Sequence, residues 1–188
     1  LMVKAFARFL PHPLVFVTFI VAFAFYAIFG NPVFDDPDLP WHIAAGDWIR
    51  THQMIPAHDP FSYASGETPW YNISWAWDVL LSTIDDAFGL GGLRIFAALA
   101  TAAVLAFLCY SLQQRVTHED PVKVLIFLTG LVLWNYSLIR PQLVSYALII
   151  AYQLILHHAR EERRYTRLLW LPPLMVLWVN THGAFLAG

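Results

Sequence analysis

Three carboxylates fall within four residues in Asp35-Asp36-Pro37-Asp38, and the stretch runs on through Leu39-Pro40-Trp41 to His42. Carboxylates this close repel one another when ionised, a setting that suits a general base or a divalent-cation site. Aspartates also cap helices and populate turns, so the cluster alone leaves a structural role open. Asp38 and His42 are four apart and would share a helix face, where they could pair or take a metal together with Asp36.

Two further constellations stand far from the first in sequence. Arg140-Pro141-Gln142 sets a guanidinium beside a proline-fixed turn, and its planar donor fork suits a phosphate or pyrophosphate; a snorkelling anchor is the plainer role. Asn180-Thr181-His182-Gly183 follows an apolar run of twelve residues from Leu168, too short at about 1.5 Å per residue to cross a bilayer. Asn180 and His182 are therefore expected within the outer half of the membrane, or at a break in the helix, facing a protein-lined cavity; a buried structural hydrogen bond is the alternative role. Trp70, Tyr71, Trp75 and Trp77 could stack on sugar rings or lie at the membrane interface, and Asn72-Ile73-Ser74 matches a glycosylation sequon.

The elements that would position these groups are hydrophobic. Of the 188 residues, 59% are hydrophobic and 13% charged. With a mean hydropathy of +0.55, the chain is too apolar for a soluble domain of its size. The apolar residues cluster in runs long enough to cross roughly 30 Å of hydrocarbon. These runs predict about five transmembrane helices, over residues 13–30, 92–112, 122–139, 142–157 and 168–187, in an all-α integral membrane fold. The first reads as a retained signal anchor, since Asn31-Pro32 rather than small residues follows it. Cys109 is the sole cysteine, so no disulfide framework or thiolate cluster can form.

Lys4, Arg8, Arg115, Lys123, Arg160, Arg163, Arg164 and Arg167 fall on one side if every run crosses, which makes that side cytoplasmic. The opposite side keeps Arg50, Arg94 and Arg140. A large extracytoplasmic segment, residues 31–91, carries nine of the thirteen acids. In it Trp41 to Thr51 predicts a surface helix with Trp41, Ala44, Ala45 and Trp48 on one stripe, capped by Asp38. A turn-rich passage around Pro56, Asp59 and Pro60 follows, then a second short helix from Ser74 to Phe88 and a break at Gly89 to Gly92. There is no internal repeat. The chain reads as a single membrane domain over 1–188, an N-terminal fragment of a longer polytopic protein.

Asp36-Pro37-Asp38-Leu39-Pro40-Trp41-His42-Ile43, Gly46-Asp47-Trp48-Ile49, Pro56, Asp59-Pro60-Phe61-Ser62, Arg140-Pro141-Gln142 and Asn180 with His182-Gly183 together resemble a bacterial group of polytopic glycosyltransferases in the GT-C superfamily. Lipid A aminoarabinose transferases and protein mannosyltransferases are better understood relatives. The resemblance places Asp36 where their catalytic aspartate lies, with Asp38 second, because Pro37 and Pro40 depart from the usual pattern. It implies transfer of a sugar from a polyprenyl-phosphate donor to a lipid or glycan acceptor, on the outer face of a bacterial inner membrane whose cytoplasmic side holds the N-terminus. Arg140 and His182 would bind the donor phosphate, and His42, Asn180, Gln142 and Asp59 would line the site. No cofactor is required; a divalent ion, Mg or Mn, is allowed at Asp36, Asp38 and His42. Membrane lipids are expected partners and nucleic acid is not. The competing expectation is a non-catalytic glycolipid-binding or transport component, or an envelope-assembly scaffold.

Overall fold

A computed structural model describes residues 12–30, 35–63, 69–135 and 139–188. Lys4, Arg8 and Glu67, which entered the charge balance, and the Asn31-Pro32 pair lie outside them. The elements are α1 (Pro13–Phe29), α2 (Leu39–His52), α3 (Trp75–Gln113), α4 (Glu119–Asn135), α5 (Gln142–Glu161), a 3-10 segment (Tyr165–Trp170), α6 (Leu171–Val179) and a second 3-10 segment (Gly183–Ala187). Every regular element among the described residues is thus helical, in agreement with the all-α expectation.

The expected count of about five spans is corrected. Among the described residues one helix, α3, is long and apolar enough to cross a membrane, and α1 is a shorter apolar helix. The physical reasons differ by element. Helix α1 has 17 residues, about 25 Å at 1.5 Å per residue against roughly 30 Å of hydrocarbon, and the described part of α4 opens on Glu119, Asp120 and Lys123. Helix α5 is long enough at 20 residues, but it carries Gln142, Gln153, His157, His158 and Arg160 among its apolar positions. The last run breaks into 3-10 and α pieces around a nine-residue α6, with prolines in its first turn and a turn at Asn180 and Thr181.

The surface helix expected at 74–88 and the run expected at 92–112 are the two helical stretches of α3, which meet at a kink. Its backbone leaves helical geometry at Gly89, where φ is 61° and ψ −165°. That positive φ is open to glycine and strained for other residues, so the expected break falls on its first glycine.

The chain forms two compact units. One comprises Leu1–Pro32 and Arg94–Leu138. Its core joins Ala22 and Tyr26 of α1 to Ala98, Ala102 and Leu105 of α3 and Leu133 of α4. A second cluster sets Val15 against Ala106, Cys109 and Val122. Several polar side chains here serve the helix ends. Arg94 donates to the α1 carbonyls of Ala27 and Ile28 at 3.2 and 3.1 Å, and the Trp134 indole to that of Phe29 at 3.0 Å. The last carbonyls of a helix lack partners inside it, and these side chains supply them. Tyr26 donates its hydroxyl to the Gly130 carbonyl at 2.7 Å.

The other unit comprises Val33–Leu93 and Ile139–Gly188. Here α2 lies against the first part of α3 at Gly46. A Cβ there would sit 2.1 Å from the Asp78 carbonyl oxygen and 2.6 Å from the Ser82 Cβ. Only a residue without a side chain permits that approach, which accounts physically for the glycine in Gly46-Asp47-Trp48. The buried face of α2 is Leu39, His42, Ala45, Gly46 and Ile49. Of the expected surface stripe Trp41 is exposed and Ala45 is buried, and the face turned inward also carries a histidine.

Candidate functional site

Helix α2 starts directly after Asp38, with Pro40 in a first turn where its missing N–H costs nothing. Asp38 occupies the N-cap position but makes no side-chain cap bond. Its carboxylate lies 3.0 Å from Arg140 Nη2 instead. Asp36 sits beside it: Arg140 Nε donates to Oδ2 at 3.2 Å, and Nη2 to Oδ1 at 3.0 Å. Asp36 Oδ1 also accepts from the Asp38 backbone N–H at 3.1 Å. Asp36 is 1% exposed, whereas the Asp38 side chain keeps 56% of its surface. Donating hydrogen bonds to Asp36 raises the Arg140 pKa above its ordinary value against the opposing effect of burial, so the guanidinium stays charged. A planar donor fork on a fully covered carboxylate is the stronger kind of ion pair.

One turn along α2, His42 points to a different partner. Its Nδ1 lies 2.6 Å from Asp78 Oδ1, on the first part of α3. Asp78 is wholly buried, and its carboxylate also accepts from Asn72 Nδ2 at 2.7 Å, with Ser74 Oγ 3.3 Å from Oδ1. Asp38 and His42 therefore do not pair, despite their spacing. The sequon is also reassigned: the amide nitrogen that would carry a glycan is buried and bonded to Asp78.

A third arrangement joins α5 to the segment after α6. The Trp178 indole donates to Ser145 Oγ at 2.7 Å, and Ser145 Oγ lies 2.7 Å from His182 Nδ1. An indole can only donate, which leaves the serine proton free; donated to His182 Nδ1, it places the neutral ring's own proton on Nε2. Asn180 has a structural task. Its side-chain oxygen accepts from the Trp75 indole at 2.8 Å, its backbone oxygen from Ala76 N–H at 3.2 Å, and its amide donates to the Val176 carbonyl at 2.7 Å. It ties the turn after α6 to the first turn of α3.

Other expected residues are placed as follows. Gln142 opens α5, and its Oε1 is buried with no hydrogen-bond partner among the described residues. Asp59 accepts from the backbone N–H groups of Phe61 and Ser62 at 2.9 and 3.3 Å, building its own turn. His52 stacks on Trp48 with ring centroids 4.1 Å apart, and His58 bridges to Pro69. The aromatic cluster divides: Trp77 is buried, Tyr71 is exposed, and Trp70 meets Trp41 edge-on. Trp70, Tyr71, Trp75, Asn72, His58 and Asn180 line an open hollow of about 600 Å³.

Asp36, Asp38 and His42 do not fit a divalent ion in this arrangement. The two acids already share a guanidinium, which repels a cation, and the imidazole turns away to Asp78. No family model, curated protein or solved structure matches this chain.

Tertiary contacts bring Asp36, Asp38 and Arg140 together across 104 residues. They set His42 on an acid, Asp78, that the sequence shows only as one of many outer carboxylates. Asn72, Ser74, Ser145 and Trp178 also emerge as parts of the two histidine networks. The one local signal was Asn72-x-Ser74 ahead of a helix start, a turn-and-cap pattern as well as a sequon.

Proposed function

We propose that this chain belongs to a multi-pass glycosyltransferase of a bacterial inner membrane, with its N-terminus cytoplasmic. It moves a sugar from a polyprenyl-phosphate carrier to a hydroxyl of a lipid or glycan on the outer face. The observation that carries the reading is the Asp36–Arg140–Asp38 cluster at the start of α2. Transfer from a phosphate carrier needs a fixed cation where negative charge builds as the sugar departs. Arg140 is that cation, aligned by Asp36 from behind, with part of its fork still exposed. His182, presenting an Nε2–H, is a neutral donor suited to the same phosphate. Removing the acceptor's proton calls for a further group, because both oxygens of Asp36 are occupied by the guanidinium.

The test is transfer of label from radiolabelled polyprenyl-phosphate sugars by the full-length protein reconstituted in lipid. Arg140→Gln and Asp36→Asn are expected to lower kcat by about a hundredfold or more, with the protein still membrane-inserted. Near-normal turnover in both removes the reading. A second reading, a non-catalytic glycolipid-binding or transport component or an assembly scaffold, draws on the complete burial of Asp36, which also suits a purely structural ion pair. Donor binding without any turnover in the wild type would favour it.

A further inference from the structure

We propose that His42 is the general base of this site and that Asp78, Asn72 and Ser74 are the residues that position it; the inference rests on the glycosyl-transfer reading above. His42 Nδ1 lies 2.6 Å from Asp78 Oδ1, and the acid is fully covered. Asn72 Nδ2 holds the other oxygen at 2.7 Å, and Asn72 Oδ1 in turn accepts from the backbone N–H and the hydroxyl of Ser74. A carboxylate can only accept from its donors, so the imidazole proton sits on Nδ1 and the lone pair on Nε2. Nε2 has no hydrogen-bond partner among the described residues, and the side chain keeps 11% of its surface open. A buried acid that fixes the tautomer, and a mostly buried imidazole with one open nitrogen, together make a proton acceptor ready for use.

The carboxylates beside it are worse placed for that task. Both oxygens of Asp36 are on Arg140, and Asp38 shares the same guanidinium. Position also favours His42. It lies one turn after Asp38, its backbone N–H bonded to the Asp38 carbonyl at 3.0 Å, so base and phosphate-facing cation flank the start of one helix. In the transfer, the acceptor oxygen forms its bond to the anomeric carbon as its proton passes to His42 Nε2. The bond from that carbon to the phosphate oxygen breaks, and the polyprenyl phosphate leaves with the electron pair. The resulting imidazolium keeps its Nδ1–H on Asp78, then returns the second proton to water.

The experiment uses the full-length protein in lipid, with radiolabelled polyprenyl-phosphate hexose and aminopentose as donors and a membrane lipid extract as acceptor. His42→Asn keeps a donor toward Asp78 but has no basic nitrogen. It is expected to lose about a hundredfold or more in kcat while KM stays within about threefold. Asp78→Asn is expected to lower kcat about tenfold or more, with KM little changed, because the tautomer is no longer held. His42→Ala, which opens a space at the ring, is expected to recover at least about tenfold when imidazole is added. Wild-type transfer that persists in His42→Asn, or a His42→Ala loss that imidazole leaves untouched, overturns the base assignment while glycosyl transfer stands. Absence of transfer by the wild type from both donors overturns the transfer reading together with the base assigned under it.

Discussion

The two units bury different chemistry. In the unit of residues 1–32 and 94–138, buried polar side chains among the described residues are Thr101 and Ser111, beside apolar clusters around Tyr26 and Cys109. In the unit of residues 33–93 and 139–188, the buried set includes Asp36, His42 and Asp78, with Asn72, Ser74, Ser82, Ser145 and Thr181 around them. Burying an ionisable group is costly unless it is paired and hydrogen-bonded, and folds carry that cost mainly where the groups have work to do. Three arginines make the contrast concrete. Arg94 closes a helix end, Arg50 bonds buried Ser82 and pairs with Asp86 at the surface, and Arg140 neutralises a covered acid. All three were expected on the side where charge bias places few basic residues, and each has a specific partner.

That comparison can be broken by substitution. Arg140→Ala leaves Asp36 covered and unpaired, and is expected to cost about 3–5 kcal/mol, the largest effect of the set; a denaturant or thermal titration in detergent measures it, and a loss below 1 kcal/mol would mean that the acid is not truly enclosed. Gly46→Ala drives a methyl group into the Asp78 backbone and is expected to cost about 2–3 kcal/mol, read in the same titration. Asn72→Ala takes a donor from buried Asp78 for about 1–3 kcal/mol. Expression where sequons are glycosylated is expected to show no mass increment at Asn72. Arg94→Ala, which uncovers the last carbonyls of α1, is expected to cost about 1 kcal/mol. Arg50→Ala is expected to cost under about 1 kcal/mol, because Asp86 is largely in solvent and salt screens the pair. An Arg50 loss equal to that of Arg140 would erase the distinction drawn between a surface pair and a covered one.

Much of the scaffold was legible along the chain, because hydropathy, proline and glycine act locally. The start of α1 at Pro13, the proline-tolerant first turn of α2, the departure at Gly89 and the break at Asn180 could each be read from a few neighbouring residues. Span counting went further than the structure allows, since an apolar run says nothing of where a 3-10 turn or a polar face interrupts it. The inward face of α2 was not legible from its apolar stripe, because that face was chosen by Gly46, which lets α3 approach, and by Asp78, which meets His42 there.

The acidic cluster, Arg140 and the histidines were therefore determined by sequence as residue types, and the resemblance attached a reaction to them. Partner choice was left to tertiary structure. Asp38 and His42 share one helix face, yet Asp38 turns to a guanidinium 102 positions away, between Asp38 and Arg140, and His42 to an acid 36 positions away. Ion pairs and hydrogen bonds act over a few ångströms in space, and no spacing along the chain encodes which distant side chain will arrive within that range.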